Sequence, residues 1–151
     1  MHRSRLALIP AAALLVAACS SGTATSSPAP SEPASAPAAQ TRVEVSMTDT
    51  LRFEPSTMTV PAGVPVTFVV TNAGVLDHEF YLGDDAMQAH HEEEMLKMGG
   101  MGHDEPEGIA VDPGETRELT YTFATPGPTL AGCHVAGHYA GGMKAAVTVV
   151  E

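Results

Sequence analysis

The chain has 151 residues and a formal net charge of −11, with 18 Asp and Glu against 7 Lys and Arg. That length allows one ordinary domain plus short appendages. The acidic balance excludes a nucleic-acid binder that works through backbone phosphates, because such binding is supplied by Lys and Arg.

Met1-His2-Arg3-Ser4-Arg5 and the apolar run from Leu6 to Ala18 read as a signal peptide over residues 1–18, with a basic start, a short apolar middle and small residues before the cut. The run is too short for a stable membrane span. Val16-Ala17-Ala18-Cys19 looks like a bacterial lipobox, in which Cys19 becomes the lipidated first residue of an exported protein on the cell envelope. Ordinary cleavage, with Cys19 incidental, is the alternative. Losing Arg3 and Arg5 with the leader takes the net charge from −11 to −13. Cys19 and Cys133 are the only cysteines. With Cys19 acylated, Cys133 is an unpaired thiol in an oxidising compartment, and metal ligation would explain why it is kept.

Residues 19–41 read as the lipidated N-terminus and a disordered linker. Ser20 to Gln40 is almost wholly Ser, Ala, Pro, Thr and Gly, with Glu32 its only charge. Such a stretch cannot bury enough apolar surface to offset its ordering entropy, and its prolines favour an extended spacer.

A single domain is expected over residues 42–151. Val43, Val45 and Met47 alternate with Glu44, Ser46 and Thr48, and the same period of two recurs over 66–71, 118–123 and 145–150. These are half-buried strands. Pro61-Ala62-Gly63, Asp112-Pro113-Gly114 and Pro126-Gly127-Pro128 punctuate them as turns. Short strands joined by turns predict an all-β, Greek-key sandwich. His78 shares a strand face with Phe80 and Leu82, while Glu79 and Tyr81 point the other way.

Between Gly83 and Gly108 the β pattern stops. Asp84 or Asp85 is positioned to cap a helix running to about Met98, with Gly99 and Gly100 ending it. Met87, His91, Met95 and Met98 then share one helical face, and Met101 and His103 follow. Either the methionines pack against the sandwich as flexible fillers, or His91, Met95, Met98, Met101 and His103 form a second copper site. The acidic residues crowded into this segment, from Asp84 to Glu107, face only Lys97, which suits attraction of cations or a basic partner.

The chemistry concentrates near the C-terminus. Cys133, His138 and Met143 follow one another at intervals of five residues. Thiolate, imidazole and thioether together suit copper, and a blue-copper site adds a second histidine. His78, at the start of its strand, is placed to supply it. His134 is the competing nitrogen, but alternation turns it away from Cys133.

At these residues the chain resembles the cupredoxins, the small blue-copper proteins, and among them the exported ones associated with copper tolerance. The resemblance rests on His78-Glu79-Phe80-Tyr81-Leu82-Gly83, the Met- and His-rich segment ending His103-Asp104-Glu105-Pro106, and Gly137-His138-Tyr139 with Gly142-Met143. It covers most of the chain from about Val43 onward. Two departures are Ala136, where many relatives have Pro, and Glu79, where several have Asn or Ser. The resemblance implies a cupredoxin sandwich holding one type 1 copper on His78, Cys133, His138 and Met143, with His138 as the electron port. The expected role is a one-electron carrier with a redox partner protein, tied to a membrane through Cys19 and monomeric as a domain. Copper capture, buffering or delivery in copper tolerance, using the loop over residues 87–103, is the alternative. An enzyme is not expected, since His90, His91 and His103 do not form the His-x-His pairs of a second catalytic copper centre. A zinc-bearing structural lipoprotein is disfavoured, because Met is a poor zinc ligand.

Overall fold

The structure, a computed structural model, describes residues 41–151. The expected signal peptide and the lipid site at Cys19 lie outside them, as does the linker except for its last residue. Thr41, read as the end of that linker, is the first residue of a strand.

Nine strands and one helix follow in the order β1 (Thr41–Thr48), β2 (Arg52–Glu54), β3 (Thr57–Pro61), β4 (Pro65–Asn72), β5 (His78–Gly83), α1 (Asp85–Lys97), β6 (Gly108–Val111), β7 (Thr116–Thr122), β8 (Gly127–Gly132) and β9 (Lys144–Val150). They form a four-stranded sheet in the order β2-β1-β4-β7 and a five-stranded sheet in the order β3-β9-β8-β5-β6. The β1–β4 and β3–β9 pairs are parallel and the others antiparallel. This is the expected all-β sandwich with a single helical insertion.

The alternation read from the sequence fills the space between the sheets. Val45 and Met47 of β1, Phe68 and Val70 of β4, Phe80 and Leu82 of β5, and Val147 and Val149 of β9 are all buried. Phe80 meets Phe68 across the sheets at 5.2 Å between ring centres and Phe53 edge-on at 5.7 Å, separations at which aromatic pairs attract.

Two details differ from the expectation. Pro126-Gly127-Pro128 is not wholly a turn, because Gly127 and Pro128 already pair with Val149 and Thr148 as the start of β8. Strand β5 is buried on both faces, since α1 packs over the outer side. The helix itself follows its signals. Asp84 caps it by accepting from the Met87 N–H at 2.9 Å, and it ends where Gly99 and Gly100 take positive φ. The turn is closed by Gly100 N–H donating to Met95 O at 2.7 Å.

Polar anchors hold the helix down. Gln88 is fully buried, and its side-chain NH2 group faces the carbonyls of Tyr81, Gly83 and Leu130 at 3.2–3.3 Å. After the helix, Arg117 grips Asp104 through two bonds of 2.7 Å, which pins the following segment beside β6. No helix among the described residues is long and apolar enough to cross a membrane.

Candidate metal centre

Three segments meet at one end of the sandwich. His78 opens β5, Cys133 follows the last residue of β8, and Met143 immediately precedes β9. The base of the Cys133–Met143 loop is closed by Cys133 N–H donating to Met143 O at 3.2 Å, and its tip by Met143 N–H donating to His138 O at 3.0 Å. The sheet therefore fixes both ends of the loop, and the two histidines lie side by side near the sulfur, their ring centres 5.0 Å apart.

His138 Nδ1 lies 3.4 Å and His78 Nδ1 3.9 Å from Cys133 Sγ. One ligand atom from each of the three residues falls within 4.8 Å of the others. Cys133 and Met143 are fully buried, His78 nearly so, and His138 is half-buried. A soft sulfur and two imidazole nitrogens that converge with little solvent are a donor set that suits copper. Three of the four residues expected from the sequence, His78, Cys133 and His138, thus come together, and Met143 adjoins them through its main-chain bonds at the loop base.

The electrostatics of the centre follow from burial. Burial pushes the Cys133 thiol up to about 12, with the Glu79 N–H working against that shift; this N–H donates to the sulfur at 3.3 Å. Burial also pushes His78 and His138 below the usual histidine value, more than the nearby Asp49 charge restores. At neutral pH both imidazoles are therefore ready to donate lone pairs, whereas the thiol holds a proton that a metal must displace.

Asp49, a residue the sequence reading passed over, organises the approach to His78. Its carboxylate accepts from the N–H groups of Val75 and Leu76 at 3.0–3.1 Å and stands 3.6 Å from His78 Nε2. At that distance the carboxylate acts on the ring through its charge, and Nε2 itself is buried without a hydrogen-bond partner. No sequence pattern marks this aspartate, which lies in the turn after β1.

The outer face of β5 carries a second polar cluster. Glu79 is fully buried, and its carboxylate accepts from His91 Nε2–H at 3.0 Å and from the His134 main-chain N–H at 3.2 Å. His134 is buried and turned away from Cys133, as alternation predicts, with its ring nitrogens facing Glu92 at 2.6 Å and Gln88 at 2.7 Å. His91 stacks on Tyr81 at 3.9 Å and His134 on Tyr139 at 4.2 Å. Gly132 makes this layer fit: a Cβ there would meet Gln88 Oε1, Tyr139 and His134 Nε2 at 3.0 Å or less.

The five residues expected to form a second copper site are divided by the fold. Met95 is buried in the helix–sheet contact beside His91, whereas Met98 and Met101 are exposed. His103 hydrogen-bonds Glu105. The groups that do come together are His91, Glu94 and Glu105, whose ligand atoms lie within 4.8 Å of one another.

Comparison with known proteins agrees with this centre. Residues 39–150 match the family described as copper-binding proteins of the plastocyanin/azurin family. The chain is 39% identical over 117 residues to a copper-resistant cuproprotein CopI of Rubrivivax gelatinosus, covering 78% of this chain and 71% of that one. It is 34% identical to a CopI of Pseudomonas aeruginosa, covering 94% and 96%. Among solved structures, auracyanin A of Chloroflexus aurantiacus, a blue copper protein, superposes with a TM-score of 0.63 at 26% identity, covering 74% of this chain and 99% of that one. A reduced auracyanin of Roseiflexus castenholzii superposes at 0.66 with 24% identity, covering 76% and 100%, and speaks for the fold alone.

Proposed function

The chain belongs to the plastocyanin/azurin family of copper-binding proteins, and from that premise we propose that it serves copper tolerance by binding copper outside the cytoplasm. The observation that carries the copper site is the convergence of His78 Nδ1, His138 Nδ1 and Cys133 Sγ in a buried pocket. The likeness to proteins named for copper resistance supports tolerance as the setting.

Each residue has a role that follows from its chemistry. Cys133, once deprotonated, is the strong thiolate ligand, steadied by the Glu79 N–H. His78 and His138 are the two nitrogen ligands, with the Asp49 charge near the far nitrogen of His78. Met143, at the loop base, would supply a thioether that tunes the potential. Copper held there supplies a one-electron couple and a visible charge-transfer band. The exposed thioethers of Met98 and Met101 give copper(I) a soft first contact before the buried centre. Cys19 would hold the domain on the envelope through a lipid.

A second reading, one-electron transfer, is favoured by the surface beside the centre. Val75 and Leu76, just before His78, are exposed at 79% and 46%, and Ala136, Gly137, Ala140 and Gly141 around His138 are exposed as well. Small and apolar groups let a redox partner approach closely without a tight complex.

The experiment is a copper challenge of an exporting host that lacks its own such protein, complemented with the wild-type chain or with Cys133→Ser. Tolerance is expected with the wild type and not with the variant. Equal rescue by both would remove the Cys133 centre from the function.

A further inference from the structure

His91 is held in one orientation. It is buried, lies flat against Tyr81 with the rings 2° from parallel, and gives its Nε2–H to Glu79. Burial works against protonation of His91, but Glu79, Glu105 and Glu94 raise its pKa on balance. In the neutral form that a metal binds, an imidazole donating from Nε2 presents a lone pair at Nδ1. That lone pair is buried without a hydrogen-bond partner, and it faces Glu105 Oε1 at 3.6 Å, an oxygen that also only accepts. A buried acceptor left without a donor is costly. Glu94 brings a further oxygen to the same point, and His103 donates to the same Glu105 oxygen, its ring centre 5.6 Å from that of His91. His91 Nδ1 and the oxygens of Glu94 and Glu105 therefore converge here, with His103 supplying a hydrogen to Glu105 but none to His91 Nδ1. A cation satisfies such a group of donors.

We propose that His91 Nδ1, Glu94 and Glu105 form a second metal site, for a divalent transition-metal ion, built from nitrogen and oxygen donors and separate from the Cys133 centre. The donor set differs from the thioether site expected from the sequence. Imidazole with carboxylates takes copper(II), zinc(II) or nickel(II), with copper(II) held tightest by the general affinity order of divalent metals. Glu79 behind His91 completes a carboxylate–histidine–metal arrangement, which fixes the tautomer and raises the basicity of the ligand nitrogen. A cleft lined by Glu94, Lys97, Met98, His103 and Glu105 provides the entry path that a working site needs. The site rests on no assumption about what the Cys133 centre does.

The test uses the full chain with the Cys133 centre filled by copper(I), under nitrogen, titrated with cobalt(II). The wild type should hold one cobalt through gel filtration, with weak visible bands and no intense near-ultraviolet sulfur-to-metal band. The absence of that band shows that the metal has not entered the thiolate centre. Glu94→Gln with Glu105→Gln should weaken cobalt binding by about tenfold or more. Both positions are partly exposed, and the blue absorption of the variant after copper oxidation reports that it is folded. A wild type that takes up no second metal overturns the proposal, as does a folded double variant that binds cobalt as tightly as the wild type. Failure of the blue spectrum in the wild type would instead count against the Cys133 centre and leave the cobalt result to stand by itself.

Discussion

The main-chain N–H of Glu79 donates to Cys133 Sγ at 3.3 Å, while the side chain of Glu79 crosses to the other face of β5 and binds His91 and His134. One residue thus joins the sulfur centre to the polar layer beneath α1. Glu79→Ala keeps the backbone donor and removes the buried acceptor. The blue absorption should therefore survive, while stability in urea falls by about 3–5 kcal/mol, the usual cost of stranding the partner of a buried charged group. Unchanged stability would mean that the layer does not hold the helix to the sheet.

Copper uptake should release protons in a way set by burial. The Cys133 thiol, pushed up to about 12, is protonated in the metal-free protein at neutral pH, whereas His78 and His138, pushed down, are already neutral. Binding near pH 7.5 should release about one proton per copper, and affinity should climb with pH. Calorimetric titration in buffers of different ionisation enthalpy measures this. Cys133→Ser should abolish both the proton release and the red absorption band.

The same thiol gives the metal-free protein an alkaline limit. Its folded pKa lies above the ordinary value of 9.0, so the native state binds more protons than the unfolded chain once pH exceeds about 9. The contribution is full below that value and is lost as pH rises toward 12. Melting curves of metal-free wild type should fall across this range more steeply than those of Cys133→Ser. Parallel curves would place Cys133 in a more solvated setting.

Asp49→Ala removes the acceptor that ties the 75–76 segment just before His78, and with it the charge near the His78 ring. Copper affinity should drop by about tenfold, the lower end of the usual effect of changing the surroundings of a ligand histidine. The blue band should persist, because the four proposed ligands remain. An unchanged affinity in a chelator competition would show that β5 alone positions the ring.

The sequence made some of this legible and hid the rest for identifiable reasons. Strands such as β1 and β9 bury one side chain in two, so their pattern is plain, and Cys133, His138 and Met143 stand close enough in the chain to be seen together. Glu79 and His134 are different. Alternation correctly turned both away from the copper pocket, but the period of a strand does not reveal that a helix covers its other face. Gln88, His91 and Glu92 meet them only through that packing. Asp49 acts on backbone N–H groups more than twenty positions away, an interaction that any turn carboxylate can make and that leaves no trace in spacing. The methionine face of the helix was visible, yet its register to the sheet was not, so buried and exposed members looked alike.

A harder donor at position 143 should favour the oxidised metal. A thioether stabilises copper(I), and an amide oxygen does not. Met143→Gln should keep copper bound and lower the reduction potential. Voltammetry with no shift would place the Met143 sulfur away from the metal.

The last prediction uses the division of the helix methionines. Met95 is 1% exposed, whereas Met98 and Met101 are 49% and 75% exposed. Met95→Ala should cost about 2–5 kcal/mol through the cavity it leaves. Replacing Met98 and Met101 together with Ala should change stability by no more than about 0.5 kcal/mol per site, as surface substitutions do. Their effect should appear instead in copper(I) delivery to the buried centre. If the exposed thioethers are the first contact, the pair variant should bind the same final amount of copper(I) but fill the centre more slowly from a competing chelator. Met95→Ala, once allowed for its lower stability, should fill at the wild-type rate. Stopped-flow transfer followed by oxidation to the blue form reads both variants. Equal filling rates in the wild type and the pair variant would remove the exposed methionines from copper capture and leave the acidic surface as the attracting feature of this segment.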